Sequence, residues 1–119
     1  MMLFLEYPPC STCRKARAWL DEHGVEYTAR HIKEENPSYE ELKLWYERSG
    51  LPLKKFFNTS GLLYKSMELK DKLPTMTEKE MLALLATDGM LVKRPLLIGE
   101  AFVLTGFKER DWESAVKPL

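Results

Sequence analysis

The sequence predicts an α/β fold, a mixed four-stranded sheet flanked by helices, in the order β-α-β, a helical insert, then β-β-α. Three observations carry that reading. The apolar run Met2-Leu3-Phe4-Leu5 is followed by a helical pattern and then by an alternating segment over 25–32. Near the other end, two apolar runs separated by Gly99-Glu100 lead into a last helical pattern. Between these halves, over about 34–90, the periodicity is helical and broken by turn residues.

Each element has its own signal. Met2 to Leu5 read as a buried strand. Cys13, Ala16, Trp19 and Leu20 share one face of a helix over 11–23, which stops at Gly24. Residues 25–32 alternate apolar and polar, as a half-buried strand does, and strand–helix–strand implies a right-handed unit with parallel strands. After a turn over 33–37, Ser38 and Glu41 form a capping box. The helix that follows buries Leu42, Trp45 and Tyr46 and ends at Gly50. Residues 51–60 are irregular, Leu62, Leu63, Tyr64 and Met67 suggest a short helix, and 71–76 is a loop around Pro74. Thr77 and Glu80 make a second capping box before Met81, Leu84 and Leu85, and Asp88-Gly89 end that helix. Leu96-Leu97-Ile98 and residues 101–105 form an antiparallel pair across a two-residue turn. A final helix over 108–116 buries Trp112, Ala115 and Val116, with Pro118 beyond its end.

The only two cysteines, Cys10 and Cys13, stand at the first strand-to-helix junction in a C-x-x-C spacing. A thiolate is the nucleophile, and an ordinary cysteine has a pKa of about 8.5. The free N–H groups and partial positive charge of a helix N-terminus favour an anion there. Cys10 is therefore the expected attacking thiol. Ser11, Thr12, Arg14 or Lys15 would assist, and Cys13, one turn inside, is the expected resolving thiol. Two cysteines make half of a tetrahedral zinc site, and His23 and His31 lack finger-like spacing, so no metal is expected. A strand, C-x-x-C and helix in succession point to thiol redox chemistry of the thioredoxin-like kind.

Composition sets the bounds. At 119 residues the chain suits one domain with one core. Lys plus Arg and Asp plus Glu number 18 each, so no net field draws it to nucleic acid or to an anionic membrane. No apolar run approaches the roughly 20 residues of a membrane span, and Glu6 with two prolines interrupts any signal-peptide pattern. The expected location is the cytoplasm, where thiols are kept reduced and a C-x-x-C pair is catalytic or sensing.

Arg94-Pro95 opens the second half. Proline cannot donate to a sheet ladder, so it is either an ordinary trans proline starting a strand or a cis bond forming a tight turn beside Cys10. The C-x-x-C context favours the cis form. Arg94 would then face the thiol, lower its pKa and offer a fork to an oxyanion or carboxylate.

With both halves in place, the chain resembles the arsenate reductase/Spx family of thioredoxin-fold proteins over nearly its whole length. The run from Cys10 through Ser11-Thr12-Cys13-Arg14-Lys15 to Trp19-Leu20 is similar to the Spx branch. Arg94-Pro95-Leu96-Leu97-Ile98 is similar to the family's Arg-Pro strand, whose proline is cis, and Gly106-Phe107-Lys108-Glu109 to the segment before the final helix. The resemblance implies a thiol-dependent oxidoreductase without a bound cofactor, with thioredoxin or glutathione/glutaredoxin as reductant. Arsenate reductases of this type use one cysteine, matching Cys10, and three arginines. Arg94 matches one, Asn58 stands at the middle one, and 104–107 has no arginine. Spx regulators use the C-x-x-C as a switch and bind the C-terminal domain of the RNA polymerase α subunit. Gly50 aligns with a glycine of that contact. The resulting site is Cys10, Cys13 and Arg94 for chemistry, with Ser11, Thr12, Arg14, Pro95 and Asn58 toward substrate.

Overall fold

A computed structural model describes residues 2–116; Met1 and residues 117–119, and with them Pro118, lie outside the described residues. Four strands form one mixed sheet in the order β2-β1-β3-β4. β1 (Met2–Glu6) pairs in parallel with β2 (Tyr27–His31) and antiparallel with β3 (Leu96–Ile98), which pairs antiparallel with β4 (Val103–Thr105). The expected α/β order and mixed sheet are both present.

β1 and β3 are central and covered on both faces, which is why they read as unbroken apolar runs. Their side chains alternate between two cores. Phe4 and Leu97 join Ala16, Trp19, Leu20 and Trp112 on the side of α1 (Ser11–Glu22) and α6 (Glu109–Ala115). Leu5, Leu96 and Ile98 join the larger core beneath the helices that link β2 to β3. A one-residue slip of β1 would exchange the two sets.

The linking segment contains α2 (Tyr39–Ser49), α3 (Leu62–Ser66), α4 (Leu69–Lys72) and α5 (Glu78–Leu85), with 3₁₀ turns between some of them. Both capping boxes form: Ser38 Oγ accepts from Glu41 N–H at 3.1 Å, and Thr77 Oγ1 from Glu80 N–H at 3.1 Å. Gly50 closes α2 with φ 67°, a left-handed conformation that costs glycine nothing.

Several expectations need correction. The loop expected over 71–76 is α4 running into a 3₁₀ turn, Leu73–Thr75, because Leu69 and Leu73 bury themselves in the larger core and Pro74 is tolerated in the first turn of the new helix. Residues 51–60 include a 3₁₀ turn, Leu53–Phe56, and Phe57 forms a bridge with Val92. β2 is shorter than 25–32, since Val25 still receives the C-terminal wrap of α1 through its N–H to Leu20 O at 3.0 Å. The two-residue hairpin turn stands one residue later than Gly99-Glu100: Gly99 N–H donates to Phe102 O at 2.9 Å across Glu100-Ala101, and β4 begins at Val103. In α6 only Trp112 is fully buried; Ala115 and Val116 are half-buried at its end.

Candidate active site

β1 ends at Glu6 and α1 begins at Ser11, leaving Tyr7-Pro8-Pro9-Cys10 to make the junction. It closes as a turn in which Cys10 N–H donates to Tyr7 O at 2.9 Å. Two successive prolines fix two φ angles and need no donor partners. Cys10 thus arrives as the N-cap residue of α1, extended at φ −75° and ψ 125°, with its carbonyl accepting from Arg14 N–H at 3.1 Å.

No side-chain hydrogen bond of cap geometry closes this N-terminus. The amides of Cys13 and Thr12 are instead turned to the Cys10 sulfur. Partial burial opposes the charged thiolate, but these amides, the Cys13 thiol and the Arg94 guanidinium favour it more, and the Cys10 pKa falls below its ordinary value. Cys13 is fully buried on the inner face of the same helix. Burial chiefly, together with the adjacent Cys10, pushes its pKa up to about 12, although Tyr7 N–H donates to its sulfur at 3.4 Å. The two thiols therefore differ in kind: one tends to the anion and is partly exposed, the other holds its proton and is enclosed.

Arg94 reaches this site from the far half of the chain. Gly89 lies so close to the Ile32 carbonyl that any Cβ would collide with it, which seats the 89–91 turn at the end of β2. Asp88 caps that turn by accepting from Met90 N–H at 2.9 Å. The chain then runs beside residues 56–58, with Lys93 N–H donating to Phe56 O at 2.8 Å, and turns through a cis Arg94–Pro95 bond into β3. Pro95 is buried, and its carbonyl accepts from Gly106 N–H at 2.8 Å. The Arg94 guanidinium carbon lies 5.0 Å from the centre of the Tyr7 ring, and Nη1 approaches Met90 Sδ at 4.0 Å.

The remaining expected residues divide. Ser11, Thr12 and Arg14 are exposed on the first turn of α1, around Cys10. Asn58 is buried, and its described hydrogen bonds run to Leu91 O, Ser60 and Gly61, which makes it a corner of the 58–61 turn. Sequence reasoning passed over Tyr7 and Met90. Tyr7 had a signal, being an aromatic residue three before the attacking cysteine; Met90 had none beyond standing four residues before Arg94.

Three comparisons bear on this geometry. The model of the ArsC family matches residues 5–115. The chain is 57% identical over 112 residues to the uncharacterized protein YusI of Bacillus subtilis strain 168, covering 94% of this chain and 95% of that one. It is 31% identical to the global transcriptional regulator Spx of Enterococcus faecalis strain ATCC 700802 / V583, covering 93% of this chain and 83% of that one. Among solved structures, an ArsC-family-related protein from Bacteroides fragilis superposes with a TM-score of 0.93 at 62% identity, covering 95% of each chain.

Proposed function

The chain belongs to the ArsC family, and from that premise we propose that it is a thiol–disulfide oxidoreductase in which Cys10 attacks and Cys13 resolves. One observation carries the reading: the split between a partly exposed Cys10 drawn toward its thiolate and a buried Cys13 that keeps its proton. The Cys10 thiolate attacks one sulfur of a disulfide substrate, a new S–S bond forms, and the second sulfur leaves as a thiolate that takes up a proton. Cys10 is then no longer charged, so its contribution to the high Cys13 pKa disappears, while Tyr7 N–H and Arg94 still favour the Cys13 anion. Cys13 loses its proton, attacks Cys10 and releases the reduced substrate, leaving a Cys10–Cys13 disulfide. A dithiol such as thioredoxin, or glutathione with glutaredoxin, supplies the two electrons that restore both thiols. Among the described residues no helix is long and apolar enough to cross a membrane, and a reducing cytoplasm is the compartment this cycle suits.

The test is a trapping experiment. Cys13→Ser incubated with oxidised glutathione or with a protein disulfide accumulates a mixed disulfide on Cys10, seen by mass spectrometry, and loses multiple turnover. Failure to trap any adduct, with turnover intact, removes the dithiol mechanism. Arsenite production from arsenate that depends on Cys10 and Arg94 would move the reading to an arsenate reductase.

The likeness to a transcriptional regulator favours a second reading, in which the same cysteines sense redox state and the chain binds the RNA polymerase α subunit. A pull-down with the C-terminal domain of that subunit decides it. No binding by the reduced or the oxidised protein discards this reading.

A further inference from the structure

Arg94 is held unlike the other arginines whose partners are described. Arg17 pairs with Glu6, Arg30 pairs with Glu41, and Arg48 Nη1 donates to Gly99 O at 2.7 Å. Among the described residues no carboxylate pairs with Arg94. Its Nε is buried and has no hydrogen-bond partner among the described residues. Among the described residues its guanidinium lies against the thioether of Met90 and the ring of Tyr7, and its influence reaches the Cys10 sulfur. A carboxylate in that position would fix the guanidinium but also cancel most of its field at the sulfur. An aromatic face attracts a cation through its quadrupole and adds no net charge.

We propose that Tyr7 is a positioning residue whose ring holds Arg94 beside Cys10 while leaving the guanidinium charge available to the attacking sulfur. The same residue fixes the rest of the site. Its carbonyl accepts from Cys10 N–H, its N–H donates to Cys13 Sγ, and its ring is braced edge-on by His31, with centroids 5.8 Å apart. His31 is itself held, because its Nδ1 accepts from Lys33 N–H at 3.3 Å and Glu34 N–H at 3.2 Å. One backbone position thus sets both sulfurs, and its side chain sets the cation. The inference rests on the reading of Cys10 as the attacking thiol.

The test is the pH profile of Cys10 alkylation by iodoacetamide in the reduced protein, which requires no substrate. Among the described residues the charged and titratable groups acting on Cys10 are Cys13 and Arg94. Tyr7→Phe keeps the ring face and retains the parent profile. Phenylalanines carrying one, two and three fluorines at position 7 keep the shape but weaken the quadrupole stepwise. The midpoint then climbs with each fluorine, by about 0.5 in all, and alkylation well below it slows about threefold. In an Arg94→Gln background the fluorine series becomes flat. A flat series with Arg94 present overturns the proposal, as does an undiminished slope in the Arg94→Gln background, because the ring would then act on Cys10 by another route. Tyr7→Leu, checked for native circular dichroism, gives the largest rise of the series, and a parent-like profile for it also overturns the proposal. Loss of disulfide reductase turnover in a protein that keeps the fluorine slope would remove the proposed function alone; a flat series in a turning-over enzyme removes the role of Tyr7 alone.

Discussion

The N-terminus of α1 differs from those of α2 and α5. At α2 and α5 a hydroxyl and a glutamate close the helix reciprocally, Ser38 with Glu41 and Thr77 with Glu80. At α1 the N-cap residue is Cys10, the N3 residue is Cys13, and no capping side-chain hydrogen bond forms. At the α2 and α5 ends the N-cap and N3 amides are answered within four residues by the box's own side chains. The end of α1 is left open, and its amides are at the disposal of a sulfur that ionises. A helix terminus can serve stability or chemistry with the same groups, and the choice is made by the side chain at one position.

Cys10→Ser breaks the comparison most completely. It converts the open end into a hydroxyl cap of the α2 kind, with Cys13 N–H as donor. Disulfide reductase turnover is expected to fall to background, while stability at pH 5 rises by about 0.5–1 kcal/mol, measured by urea unfolding. The sign follows from the thiol. The folded-state pKa of Cys10 lies below its ordinary value, so its ionisation stabilises the fold above that ordinary value, and the benefit is lost as pH falls through the folded pKa. The advantage of serine is therefore greatest in acid and shrinks as the parent's thiolate takes over the cap. An unchanged difference between parent and variant from pH 5 to 9 would show that the open end is not answered by the thiolate.

Arg94 sharpens the comparison, because it is the element of the α1 site that no local sequence supplies. Arg94→Gln is expected to raise the Cys10 alkylation midpoint and to slow alkylation at pH 6 about three- to tenfold, with Arg94→Lys recovering only part of the loss because an ammonium cannot reproduce the planar fork. Identical profiles for all three proteins would leave the α1 amides and the Cys13 thiol as the support of the thiolate. Ser38→Ala is the smallest change. It costs about 1 kcal/mol of stability by removing a cap and leaves the Cys10 profile where it was. A shift in that profile would mean that the two helix ends are coupled through the fold.

What could be read from the chain divides along the same line. The capping boxes, the glycine after α2 and the buried face of α1 depend on residues within a turn or two of one another, and all were legible. The fourth helix was not, because Pro74 suggested a loop and only the larger core shows what Leu69 and Leu73 gain by coiling. The hairpin turn was misplaced by one residue for a related reason. Gly99 carries the ring of its cross-strand partner Phe102 directly over its backbone, a contact that sets the two-residue turn at Glu100-Ala101. At the site, the junction, the order of the two thiols and the cis Arg94–Pro95 bond were expected, and the bond is present. Tyr7 as the seat of Arg94 was not expected, since the two residues stand on opposite halves of the chain and meet only when β3 lies beside β1.

By itself the sequence determined the alternating strand and helix periods, the helix ends and the placing of a C-x-x-C at the first of them, because each is an interaction among near neighbours with few alternatives. Tertiary structure alone decided how different the two thiols are. Burial of Cys13, partial exposure of Cys10 and the arrival of a guanidinium that pairs with no carboxylate among the described residues all depend on surfaces brought together from residues 7, 10, 13, 90 and 94, and electrostatic energies follow distance and solvent exclusion rather than order along the chain.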